Sequence, residues 1–130
     1  MEKAAVLIVD DNPTNLKLAK ILLAGEGHDV RTAADAEEAL FLLKSFRPRL
    51  ILMDIQLPGM DGLALTQQLK TDPRTHDIPI VAMTAYAMKG DAERVLAAGC
   101  QGYIAKPIDT RRFAADVAGY LSNDSPYPGG

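Results

Sequence analysis

The chain contains no tryptophan and one cysteine among its 130 residues. A lone Cys100 excludes an internal disulfide and a cysteine-built metal centre, leaving a reduced, semi-buried thiol as its simplest reading. No apolar run approaches the roughly 20 residues that a membrane span requires. No basic segment followed by an apolar one marks a secretory signal, so a cytoplasmic chain is expected, with no membrane partner. Positive charge is also short, because 14 Lys and Arg face 17 Asp and Glu and the net charge is −3. Only 5% of residues are aromatic, and no basic stripe with interleaved aromatics exists for reading nucleic acid. The turn after the first apolar run, DDNPTN, has neither G-x-G-x-x-G nor G-K-[ST]. A nucleotide-phosphate cradle is therefore absent.

What remains is an ordinary globular composition, 48% hydrophobic and 24% charged, in a length that fits one domain with a real core. Five short apolar runs recur: Ala5–Val9, Asp29–Thr32, Leu50–Met53, Ile78–Met83 and Gly102–Ala105. Runs such as LIV and LILM do not alternate polar with apolar, as expected of strands covered on both faces. Between them the apolar residues fall at helical spacing. The first such stretch carries Leu16, Ala19, Ile21, Leu22 and Leu23, with Gly25 and Gly27 where it should stop. The second carries Ala36, Ala39, Leu40 and Leu43 behind an Asp35 N-cap, and the third carries Leu63, Leu65 and Leu69. The fourth carries Ala92, Val95, Leu96 and Ala98, opened by Asp91 and closed at Gly99. The fifth carries Phe113, Val117, Tyr120 and Leu121 with Asp109 as its N-cap, and all these apolar stripes are expected to be core. His28 and His76 are single, separated and expected in exposed loops. Five βα units predict an α/β, doubly wound, flavodoxin-like parallel sheet with five helices and strand order 2-1-3-4-5. The domain is expected over 1–122, and 123–130 (NDSPYPGG) reads as a flexible tail. The Met1 start and short tail lean toward a whole protein rather than an excised piece.

In such a sheet ligands bind outside the carboxyl ends of the strands, at the switch point between the first and third. The first strand ends in Asp10-Asp11, the third in Asp54, the fourth in Thr84 and the fifth in Lys106-Pro107. Three carboxylates in one concavity repel unless a proton, the Lys106 ammonium or a cation compensates them. Oxygen ligands without thiolate or imidazole select a hard ion, Mg²⁺ or Mn²⁺, which keeps waters and accepts phosphate oxygens. Asp54 stands centrally, and a carboxylate can attack phosphorus to give an aspartyl phosphate. Each residue also has a plain structural reading. Asp10 and Asp11 would suit a helix cap, Asp54 a turn before PGMDG, Thr84 a strand-end hydroxyl, and Tyr103 a half-buried strand aromatic.

The phrases VLIVDDN, LILMDIQLPGMDG, IPIVAMTAYA and GYIAKPI resemble the receiver domain of two-component response regulators, from about Val6 to Ile108. The wording AYAMKGD with GC-x-x-YI-x-KP looks like single-domain DivK-type regulators and like receivers of hybrid histidine kinases. The resemblance implies a switch phosphorylated at Asp54 by a histidine kinase or histidine phosphotransfer protein. It implies that Asp11, Asp54 and the Gln56 main-chain carbonyl bind Mg²⁺ directly, with Asp10 acting through metal-bound water. Thr84 and Lys106 would contact the phosphoryl oxygens, the Lys106–Pro107 bond would be cis, and Tyr103 would move inward with Thr84. Gln56 and Tyr86 would flank the path of hydrolytic water, a bulky Tyr86 slowing loss of the phosphoryl group. The output would be another protein, bound at the fourth helix, fifth strand and fifth helix (Met88–Leu96, Tyr103, Asp109–Ala118).

Two other classes compete. A haloacid-dehalogenase-type phosphatase would need an acid two residues after the nucleophile; Gln56 stands there and cannot protonate a leaving group. A flavodoxin-like cofactor carrier would not line its rim with carboxylates that repel a phosphate.

Overall fold

Burial of apolar strands on both faces governs the architecture. The computed structural model describes residues 3–57, 61–85 and 89–122, with the backbone only at 89–91. The elements alternate as β1 (Ala5–Val9), α1 (Pro13–Ala24), β2 (Asp29–Ala33), α2 (Ala36–Leu42), β3 (Leu50–Asp54), α3 (Gly62–Thr71), β4 (Ile80–Thr84), α4 (Lys89–Ala97), β5 (Gly102–Ala105) and α5 (Phe113–Leu121). All four strand pairings are parallel, and the order is β2-β1-β3-β4-β5. Every residue of β3 and β4 is buried, which explains why their sequences do not alternate.

Side chains of one strand still point alternately to two faces. Val6 and Ile8 belong to one core with Ala19 and Leu23 of α1 and Phe113 and Val117 of α5. Leu7 and Val9 belong to the other core, with Ala36 and Ala39 of α2, Leu65 and Leu69 of α3, and Val95 of α4. Complete burial of a side chain such as Leu7 or Ile8 stabilises the fold by about 1.5–3 kcal/mol.

Local signals set most boundaries. Pro13 occupies the first helical position of α1, and Asp35 caps α2 by accepting from Glu38 N at 2.8 Å. The turns after α1 and α4 pass through Gly27 (φ 90°) and Gly99 (φ 110°), a left-handed backbone that side chains with a Cβ resist.

Five expectations need correction. Ile21 and Leu96 are exposed rather than core, because each lies on the solvent side of its helix. β4 begins at Ile80 rather than Ile78, because Pro79 has no N–H to donate and Ile78 N turns back to Thr75 O. α4 begins at Lys89, ahead of Asp91, so Asp91 does not open it. Asp109 does not cap α5; its side chain accepts from Arg111 N, and its carbonyl accepts from Arg112 and Phe113 in a preceding turn. His28 is buried rather than exposed, with Nδ1 accepting from Ala4 N at 3.1 Å. Tyr86, Met88 and the tail 123–130 lie outside the described residues.

Cys100 is buried beneath α3, and burial pushes its thiol up to about 11, more than the nearby Thr66 hydroxyl and Lys70 ammonium pull it down. At pH 8 its alkylation is expected to run about 100-fold slower than that of a free thiol, from the smaller thiolate fraction alone. A folded pKa raised above the ordinary 9.0 stabilises fully below pH 9. That contribution fades by up to about 2–3 kcal/mol as pH rises from 9 toward 11. Urea unfolding across this range checks the slope, which Cys100→Ala should lack.

Candidate functional site

The carboxyl ends of β1, β3, β4 and β5 come together at one edge of the sheet, and each supplies a polar group. Asp10 follows β1 and is fully buried. Its N–H donates to Ala33 O at 3.0 Å, and its Oδ1 accepts from Asn12 N at 2.9 Å. Its Oδ2 stands 3.0 Å from Lys106 Nζ as an ion pair and takes no hydrogen bond from any other described donor. Asp54 ends β3, also buried, with Oδ1 accepting from Gln56 N at 3.0 Å and Oδ2 at 3.2 Å from Lys106 Nζ. Asp11 is exposed at the mouth.

Lys106 thus bridges the two buried carboxylates from the far side of the sheet. Its backbone N–H donates to Thr84 O at 2.8 Å, which ties the end of β5 to the end of β4. Thr84 itself is buried at the last position of β4, and the Lys106–Pro107 peptide bond is cis. Tyr103 lies on β5, half-buried against the α2–α4 side of the core. It borders a groove of about 480 Å³ between β5 and α5, shared with Pro107, Asp109, Arg112 and Tyr120.

The simple capping explanation for Asp10 and Asp11 fails on geometry. Asn12 caps α1, its Oδ1 accepting from Thr14 N at 2.9 Å and Asn15 N at 3.1 Å. The two carboxylates are therefore left to the rim. Asn12 follows the common N-cap preference and was recognisable in DDNPTN, because Pro13 fixes the helix start one residue on. Asp61 caps α3 through Ala64 N at 2.8 Å, beside the buried Gly62 that opens the helix. The Asp-Gly pair before an apolar helix is the signal for both.

Electrostatics follow from this packing. Burial raises the Asp54 carboxyl above its ordinary value, and the Asp10 charge adds to that, against the opposing pull of the Gln56 N–H and the Lys106 ammonium. For Lys106 burial works the other way, but the hydrogen bond and charge of Asp10 and the charge of Asp54 prevail and raise its pKa. Asp10, Asp11 and Asp54 each offer an oxygen within 4.8 Å of the others. Three carboxylates and one ammonium leave two negative charges, which a divalent cation would neutralise. The all-oxygen donor set and the under-bonded Asp10 Oδ2 fit a hard cation.

Among the described residues no helix is long and apolar enough to cross a membrane. Residues 6–118 match the response regulator receiver domain family. The polar-differentiation response regulator DivK of Brucella anthropi is 45% identical over 92% of this chain and 97% of its own length. A response regulator from Chloroflexus aurantiacus superposes with a TM-score of 0.86 at 32% identity, covering 93% of this chain and 99% of that one. The receiver domain of a sensor histidine kinase from Pseudomonas aeruginosa, solved with a magnesium ion coordinated in its active site cleft, gives 0.80 at 33% identity over 94% and 97%. With the sheet order, the acidic rim and these relatives in agreement, the chain belongs to the response regulator receiver domain family.

Proposed function

We propose that the chain is a phosphorylation switch in which Asp54 takes a phosphoryl group from a phosphohistidine. The observation that carries this reading is the buried Asp54 carboxylate, which has one oxygen held by Gln56 N and the other facing Lys106 Nζ. Asp54 Oδ2 attacks phosphorus, an O–P bond forms, the P–N bond of the donor breaks, and the imidazole leaves with the electron pair. Lys106 offsets charge on the transferring oxygens, and the Thr84 hydroxyl donates to one of them. Asp10, Asp11 and Asp54, with the Gln56 carbonyl, are the residues that would hold Mg²⁺, or Mn²⁺ in its place. Once bound, the ion supplies charge neutralisation of the phosphoryl oxygens. The magnesium held by the Pseudomonas receiver supports that choice. In this reading the chain promotes only its own phosphorylation and dephosphorylation.

The donor is a histidine kinase or a histidine phosphotransfer protein, which places the chain in the cytoplasm. Engagement of Thr84 by the phosphoryl group biases a two-state equilibrium that Tyr103 reports at the β5–α5 groove, where a downstream protein docks. The α4–β5–α5 face is the output surface.

Incubation with acetyl phosphate and Mg²⁺ should add the mass of one phosphoryl group per chain. The adduct should be labile to hydroxylamine and absent from Asp54→Ala. Multiple turnover of phosphate esters, or an adduct that survives Asp54→Ala, would overturn the proposal.

A further inference from the structure

We infer that Gly62 is a positioning residue for the phosphoacceptor, acting through the backbone of Ile55 and Gln56; the inference rests on the reading of Asp54 above. α3 begins so close to the end of β3 that no side chain fits between them. A Cβ at Gly62 would overlap the Asp54 carbonyl oxygen and stand 2.7 Å from Ile55 Cα and 2.8 Å from the Asp54 carbonyl carbon. All three are backbone atoms, so none can swing aside as the end of a flexible side chain would.

The contact is fixed from both sides. Gly62 N donates to Ile55 O at 3.1 Å, which ties the start of α3 to the residue after β3. Ile55 N donates to Met83 O at 3.3 Å, so this residue is held to β4 as well. On the helix side, Asp61 caps the first turn through Ala64 N, and the buried Thr66 hydroxyl donates to Gly62 O at 2.8 Å. The Ile55–Gln56 peptide is thereby set between two anchored groups.

That peptide carries the N–H that holds Asp54 Oδ1 at 3.0 Å. With Oδ1 engaged, Oδ2 is the oxygen turned toward Lys106. A methyl group at position 62 must displace the Asp54 carbonyl and Ile55, which tilts the 55–56 peptide and releases Oδ1. The carboxylate then loses its fixed rotation, and attack on phosphorus loses its alignment. Gly62 touches neither substrate nor cation; it decides which oxygen of Asp54 is presented.

The test compares wild type, Gly62→Ala and Gly119→Ala, the last being a helical glycine with nothing within 4 Å of an added Cβ. Initial rates of acetyl phosphate-dependent phosphorylation are measured well below each Tm, together with the Gln56 amide proton shift by NMR. Gly62→Ala is expected to be at least 10-fold slower, with the Gln56 amide moved upfield by loss of its hydrogen bond. Gly119→Ala should match wild type in both. A folded Gly62→Ala with the wild-type rate and an unmoved Gln56 amide overturns the inference, since a purely structural glycine would lower Tm alone. If Gly62→Ala does not fold, Asp61→Ala replaces it. Loosening the same turn without a clash should slow phosphorylation several-fold and shift the same amide, and no change in either again overturns the inference. If wild type takes no phosphoryl group, the phosphoacceptor reading falls, and the Gln56 amide shift alone decides whether Gly62 positions Asp54.

Discussion

Lys106→Met is expected to lower stability by about 3 kcal/mol in the absence of divalent cation, the scale for breaking a buried ion pair by removing one partner. Methionine keeps an unbranched stem of similar reach but removes the charge that stands 3.0 Å from Asp10 and 3.2 Å from Asp54. Both carboxylates stay buried and repel each other. The pH dependence has a definite sign. The folded pKa of Lys106 is raised, so its contribution is complete below the ordinary 10.5 and is lost as pH rises through the folded value. The gap between wild type and variant should therefore hold across neutral pH and close in strong alkali. Urea unfolding in EDTA at several pH values measures it. Added Mg²⁺ should narrow the gap at neutral pH by supplying the missing positive charge. A loss below about 0.5 kcal/mol, the range of an ordinary surface substitution, would show that the ammonium does not compensate the buried carboxylates.

Asp54→Asn should move in the opposite direction. Asparagine keeps an oxygen to accept from Gln56 N but removes one of the negative charges, and a rise in Tm of about 2–5 °C in metal-free buffer is the expected result. The Asp54 pKa is raised in the folded state, so its ionised form opposes folding above that value. Below the ordinary 3.8 the carboxyl is protonated in folded and unfolded chains alike, and the advantage of the variant over wild type should disappear. The variant gains stability while losing the phosphoryl adduct completely. If the carboxylates hold Mg²⁺ as proposed, it should also lose most of the stabilisation by that ion, which by mass action would be about 2.7 kcal/mol in wild type at 100 times the Kd. Differential scanning calorimetry with and without Mg²⁺ reads both effects, and an unchanged Mg²⁺ shift in Asp54→Asn would remove this carboxylate from the cation site.

Much of the fold was legible because its strongest signals are local. β1 and β5 end where their apolar runs end, and the βα rhythm with right-handed crossovers left a few doubly wound orders, of which the common five-stranded one is found. Most of the errors share a cause: each depended on where a backbone hydrogen bond goes. Asp91 and Asp109 have the chemistry of caps, but α4 starts before the first and a turn intervenes after the second. His28 has the composition of a loop residue, yet it is buried because its ring accepts from the chain entering β1. At the rim, side-chain identities pointed to Asp10, Asp11, Asp54 and Lys106, since like charges at strand ends need compensation. Periodicity could not show that Gln56 N engages one Asp54 oxygen, or that Gly62 sits against the Asp54 carbonyl, because both are set by the path of a loop.

The order in which the rim groups occur along the chain has a consequence for synthesis. The acidic groups leave the ribosome with β1 and β3, whereas the ammonium that offsets them arrives with β5, near the end of the domain. A nascent chain that pairs β1 with β3 early carries an uncompensated acidic pocket until translation reaches Lys106. If these carboxylates hold a divalent cation as proposed, that ion is the counter-charge open to the chain during this interval, and its scarcity would hinder folding at synthesis.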